Sequence, residues 1–158
     1  MSAVLPEAPA RLSPLTRLQI AAVVPVARLI HRRPPAELRR RLARLARGAR
    51  PARYDEAKRA RDEILTASPR CRGDRACLIR SLSVVLLCRL RGVWPAWCVG
   101  VLAVPPFAAH AWVEAEGRIV DEPLAHTDYR AFFKVAVEAR PGDRPAANHR
   151  DDRKEVQR

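Results

Sequence analysis

The sequence contains no run of eighteen apolar residues, so no segment is long enough to cross a membrane as a helix. Its longest early apolar stretch, Ile20 to Ala27, is interrupted by Pro25. Residues Met1 to Ala10 lack a basic segment and include Glu7, so no secretory signal is expected and the expected compartment is the cytoplasm. No C-x-x-C pair is present: Cys71, Cys77, Cys88 and Cys98 are separated by five, ten and nine residues. That spacing does not make a zinc knuckle, and a reducing compartment does not favour a disulfide framework. No metal and no cofactor is therefore expected. Aromatic residues make up only 5% of the chain and lie mostly in its back half.

Acidic residues are scarce. There are 17 against 30 basic ones, a formal net charge of +13. Almost all the positive charge is arginine, since Lys58, Lys134 and Lys154 are the only lysines. The excess is uneven: residues 1–75 hold 18 basic and 7 acidic side chains, whereas residues 76–158 hold 12 and 10. The Arg/Ala/Pro-rich composition that follows from a GC-rich genome accounts for such a bias, and so does an acidic partner such as nucleic acid, a membrane surface or an acidic peptide. Nucleic acid is not the favoured partner, because no aromatic stacking platform accompanies the arginines. With 48% apolar residues in 158 positions, the chain has the means to bury one domain-sized core.

Residues 1–14 carry three prolines and are expected to form a tail. Residues 15–69 read as a basic helical region. Leu15, Leu18, Ala22, Val26 and Leu29 recur at helical spacing, and Pro34-Pro35 ends that segment. Ala36 to Arg47 is amphipathic, with Leu38, Leu42 and Leu45 on one face and a stop at Gly48. Tyr54 to Ala67 forms a third helix with an acidic first turn, Asp55-Glu56. Residues 70–139 read differently. Asp74 is placed to cap a helix running to about Arg91 and ended by Gly92, apolar nearly all round and so buried. Strands are expected at Trp97 to Val104, His110 to Ala115, Arg118 to Glu122 and Ala131 to Val137, with a hairpin at Glu116-Gly117. Residues 140–158 are a polar tail. Helices followed by antiparallel strands make an α+β protein.

Cys77 is the residue with chemical promise. A thiol in the first turn of a helix faces unpaired backbone N–H groups and the positive end of the helix dipole, both of which favour a thiolate. Cys88 and Cys98 fall in apolar segments and read as packing, and Cys71 as an exposed thiol in a polar loop. His110 opens a strand and can reach a thiol on a helix end packed against it. His31, His126 and His149 lie in basic, loop or tail contexts. A third group would orient the imidazole. A two-residue turn at Glu116-Gly117 pairs Trp112 with Asp121 and sets Asp121 on the His110 face. A three-residue turn with Gly117 as the bulge pairs His110 with Glu122. Gly117 in the third place suits the bulged turn, which inclines the choice towards Glu122.

Cys77 heading a buried helix, Trp97-Cys-Val-Gly-Val, Ala109-His110-Ala-Trp-Val-Glu and Val120-Asp-Glu-Pro123 together resemble the transglutaminase-like cysteine hydrolases. The stretch from Arg70 to Leu82, with Trp94-Pro-Ala-Trp97 and Pro105-Pro-Phe-Ala-Ala-His110, is most similar to the lasso-peptide branch, the stand-alone peptidase half of the split lasso "B" protein. The resemblance spans roughly residues 36–137. It implies a papain-like core, with a Cys-bearing helix packed on a small antiparallel sheet and basic helices in front. It also implies a Cys-His-acid leader peptidase that cleaves a ribosomally made precursor before a separate cyclase closes the ring. The implied partners are the precursor's leader region, a small leader-binding protein and the lasso cyclase. The acid in that family is usually Asp, about a dozen residues after the His, where this chain has Glu122. Helices 36–47 and 54–67 are then candidates for docking an acidic leader or partner surface. The rival readings are another acyl transfer or amidase reaction, an Arg-rich nucleic-acid-binding protein, and an inactive adaptor.

Overall fold

The computed structural model describes residues 9–103, 105, 107–122 and 128–137, apart from the Asp74 side chain. The 140–158 segment and residues 1–8 fall outside that range, as do His126 and His149. Four helices precede or flank a four-stranded sheet: α1 (Pro14–Ile30), α2 (Pro35–Ala46), α3 (Tyr54–Ala67) and α4 (Cys77–Leu90). The strands are β1 (Arg50–Pro51), β2 (Val93–Trp94), β3 (Ala96–Leu102), β4 (Ala109–Ala115), β5 (Arg118–Ile119) and β6 (Tyr129–Val135). The main sheet is antiparallel in the order β5-β4-β3-β6, and β1 and β2 form a separate parallel pair. That short pair has no signature in the sequence, because two residues carry no periodicity.

The helix ends follow local chemistry. Ser13 caps α1 by accepting from the Thr16 N–H at 3.1 Å, and Pro14 sits where no N–H is needed. Glu56 opens α3 by accepting from the Arg53 N–H at 2.9 Å. Just before α1, the Ala10 N–H donates to Thr66 Oγ1 at 3.0 Å, tying this part of the expected tail to α3. Pro25 lies on the exposed side of α1, so the backbone bond it removes faces solvent.

The packed face of α1 is Ile20, Val23 and Ala27, not the expected Leu15–Leu29 stripe. Leu15, Leu18, Val26 and Leu29 are 46–70% exposed. The helix carries two apolar stripes, and spacing does not choose between them; the stripe containing Ala27 is the one that packs inward. On α2 the third buried position is likewise Ala46, while Leu45 is 41% exposed. α4 holds the centre, packed between α1 and α3 on one side and the sheet on the other. Its Leu82, Val84, Val85 and Leu87 are buried. One core cluster runs from Ile20 through Leu42, Ile64 and Leu87 to Val135, so it passes through both the helical front half and the sheet.

Candidate active site

α4 begins at Cys77. A short 3-10 turn, Asp74–Ala76, precedes it, and its cap position is Ala76, with no side-chain cap. Asp74, expected to cap the helix, therefore lies inside the preceding turn, two residues before the observed cap position. The turn lets the chain enter α4 directly, and Cys77 still occupies the first turn of a buried helix. Cys71, expected in an exposed loop, is fully buried. The backbone around it turns inward because Arg80, itself buried, donates from Nη1 to the Cys71 carbonyl at 3.1 Å.

His110 sits near the start of β4, which antiparallel pairing with β3 sets opposite Gly100. Its ring lies 6.1 Å from Trp112, nearly parallel, and 5.5 Å from Tyr129, tilted. Glu114 accepts the Trp112 indole N–H at 2.9 Å and the Lys134 ammonium at 2.5 Å, which fixes the indole. These aromatic neighbours were not singled out from the sequence; alternation places Trp112 on the His110 face, and that signal could have found it.

His110 Nε2 is 3.0 Å from Glu122 Oε2. Nδ1 is then the nitrogen left for Cys77, whose thiol is hydrogen-bonded to the ring and to the Ala111 backbone N–H. Burial opposes ionising the Cys77 thiol. The His110 hydrogen bond, the Ala111 N–H and the positive charges of His110 and Arg80 outweigh it and hold the thiol below its ordinary range. Burial likewise opposes charging His110, but its bonds to Cys77 and Glu122 and their negative charges push it up to about 9. Both shifts act in the direction that favours a thiolate–imidazolium pair. Cys88, by contrast, is pushed up to about 12 by burial, and burial also raises Cys98.

The structure brings Cys77, His110 and Glu122 together and leaves Asp121 outside that group. Glu122 arrives by a route the hairpin argument did not foresee. The turn is a two-residue one, with Glu114 opposite Ile119 and Ala115 opposite Arg118. Glu116 and Gly117 both take positive φ, 52° and 74°, the geometry that matches strand twist in tight hairpins. No bulge shifts the register, so the expected three-residue turn does not occur. Instead Asp121 itself has φ 47°, and the expected Arg118–Glu122 strand ends at Ile119. Asp121 turns away to α3, where Lys58 and the Tyr54 hydroxyl (3.3 Å) meet its carboxylate. Burial would raise the Asp121 carboxyl, but the Lys58 hydrogen bond and charge hold it below its ordinary value. Sequence reasoning also missed Arg61 and Arg80, whose side chains are only 4% exposed beside Asp121 and Glu122. Nothing in the sequence separates them from the general arginine excess.

A thiol heading a buried helix, with an imidazole on the adjoining antiparallel strand, makes this an α+β protein with a thiol–imidazole centre. The family model described as the transglutaminase-like superfamily matches residues 20–137, and the chain belongs to that superfamily. Cysteine proteases and acyltransferases are common in it. No curated protein and no solved structure matches the chain. Among the described residues, no helix is long and apolar enough to cross a membrane.

Proposed function

We propose that this protein is a cytoplasmic cysteine peptidase that removes the leader from a lasso-peptide precursor, with Cys77 as nucleophile, His110 as acid–base and Glu122 as the group orienting the imidazole. The observation that carries the reading is the contiguous line of thiol, imidazole and carboxylate, with Nε2 of His110 held at 3.0 Å by Glu122. The Cys77 thiolate attacks the carbonyl carbon at the leader–core junction, and first-turn N–H groups of α4 receive the developing oxyanion. His110 gives its proton to the departing core amine as the C–N bond breaks. Water, losing a proton to His110, then hydrolyses the thioester and frees the leader as a carboxylate. The core peptide leaves with a free α-amine for a separate cyclase. The superfamily match supports the thiol chemistry; the lasso assignment rests on the resemblance of the Cys77 and His110 segments.

The test is mass spectrometry of this protein with a candidate precursor and leader-binding protein encoded beside it, run in parallel with Cys77→Ala. Leader loss that falls by several orders of magnitude in the variant is the expected result. Full cleavage by Cys77→Ala would sink the assignment. An amine transferred to the product in place of water would redirect it to another acyl transfer.

A further inference from the structure

We propose that Asp121 is a positioning residue: it turns the chain so that Glu122 meets His110, and Lys58, Arg61 and Tyr54 of α3 hold that turn. The inference rests on the roles given above to Cys77, His110 and Glu122.

Strand geometry alone would not deliver Glu122. In the observed hairpin register, Val120 N–H donates to Val113 O at 3.0 Å, so the next positions would alternate with Asp121 opposite Trp112. Continued as a strand, Glu122 would fall on the Ala111 face, opposite to His110. The positive φ at Asp121 breaks that alternation one residue before the acid. Aspartate tolerates this conformation better than most non-glycine residues, and the contacts around Asp121 select it here.

Those surroundings are specific. Arg61 donates from Nη2 to the Asp121 main-chain carbonyl at 2.5 Å, and its Nη1 lies 3.8 Å from Oδ2. A buried guanidinium is costly unless paired, and this one is paired with the backbone of the turning residue itself. Lys58 and the Tyr54 hydroxyl engage the carboxylate, and Arg118 stacks over the Tyr54 ring at 3.7 Å. Bonds to both the main chain and the side chain of one residue fix its backbone direction, which a surface ion pair would not do. On the other side, Arg80 Nη2 stands 4.0 Å from Glu122 Oε2. Among the described residues, the charged and titratable groups around the turn include Tyr54, Lys58, Arg61 and Asp62 from α3, Cys77 and Arg80 from α4, His110 from β4 and Arg118 from β5.

The readout needs no peptide substrate. The full chain is treated with iodoacetamide from pH 4.5 to 9.5, and Cys77 modification is followed by mass spectrometry. The variants are Glu122→Gln, Asp121→Ala, Lys58→Gln and the double Asp121→Ala/Glu122→Gln, each checked for folding by circular dichroism. Glu122→Gln should raise the pH midpoint of Cys77 alkylation by about one unit, or roughly tenfold in rate at pH values well below the midpoint. Asp121→Ala should shift it in the same direction by at least half as much, and Lys58→Gln by less. The double variant should be no worse than Glu122→Gln alone, because a residue acting through Glu122 has nothing left to act on. A folded Asp121→Ala with the parental profile, or an additive double variant, overturns the proposal. If Asp121→Ala does not fold, an unshifted Lys58→Gln overturns it. An unshifted Glu122→Gln removes the orienting role of the acid and this proposal with it. A shift in Glu122→Gln without one in the others removes the positioning role alone.

Discussion

Replacing Gly100 by alanine tests the packing behind His110. Gly100 lies in β3 opposite His110, at the point where the pairing with β6 slips between Val99 and Gly100. A Cβ built there would collide with the Arg130 carbonyl oxygen, and it would stand 2.7 Å from the Arg130 carbonyl carbon and 2.8 Å from Ala131 Cα. All three are backbone atoms, so no rotamer change relieves the contact. β6 must separate from β3, and Tyr129, next to Arg130, must move with it, away from the His110 ring it now faces at 5.5 Å. Overpacking costs about 1–3 kcal/mol, and a backbone obstacle puts this case at the upper end. For a chain of this size that lowers the melting temperature by roughly 5–10 °C. Gly73 is the control: an added Cβ there meets nothing within 4 Å, so Gly73→Ala should stay within about 0.5 kcal/mol of the parent. Thermal melting by circular dichroism decides. If Gly100→Ala melts within a degree of the parent, the close approach of β3 and β6 is not as described.

Three further expectations follow from the site and the core. At pH 7 a brief iodoacetamide pulse should label Cys77 alone, since Cys71, Cys88 and Cys98 are at most 1% exposed. Ionisation adds to this selectivity: a thiol near 12, such as Cys88, is only about 10⁻⁵ thiolate at pH 7, against about 3% for an ordinary one. Comparable labelling of a second cysteine in folded protein would contradict it. The proposed peptide cleavage should have an alkaline limit near pH 9, where His110 loses the proton it must give the leaving amine, and an acidic limit below the ordinary thiol range, where Cys77 is protonated. An alkaline limit near 6.5, that of a free imidazole, would mean that the ion pair does not form. On α1, Ile20→Ala should cost about 2–4 kcal/mol and Leu18→Ala less than about 0.5 kcal/mol by denaturant unfolding, and the reverse order would restore the stripe expected from spacing.

The central helix and its thiol are legible in the sequence because several signals agree there. The segment is apolar all round, Gly92 stops it with a positive φ, and a β-rich segment follows. His110 is legible as the polar residue at the start of an apolar strand. The route to Glu122 is not. Glycine in the third place of Ala115-Glu116-Gly117 suggests a bulge, yet Glu116 adopts the left-handed conformation that a two-residue turn needs. The inclination towards Glu122 thus rested on a turn that does not form, whereas the contact with His110 depends on the conformation of Asp121. A single-residue left-handed turn leaves no period to read, and its supports come from α3, some sixty residues earlier in the chain. Only the folded chain brings them together.

The same residues change what the basic front half can mean. Counted along the sequence, its arginines look like one surface. In the structure they separate into two groups. Arg39, Arg40, Arg44 and Arg47 of the α2 segment are exposed, whereas Arg61 of α3 is buried against Asp121. Exposed charges are screened by salt over about 8–10 Å, and buried ones far less. Salt sensitivity of docking to an acidic leader or partner would therefore report on the α2 arginines. Substitutions at Lys58 or Arg61 would instead disturb the turn that precedes Glu122. A loss of activity caused by neutralising Lys58 or Arg61 cannot be assigned to lost docking, since on the positioning proposal the same charges hold the acid in place. Neutralising α2 while following Cys77 alkylation separates the two effects: a docking role lowers partner affinity and leaves the thiol's pH profile where it was.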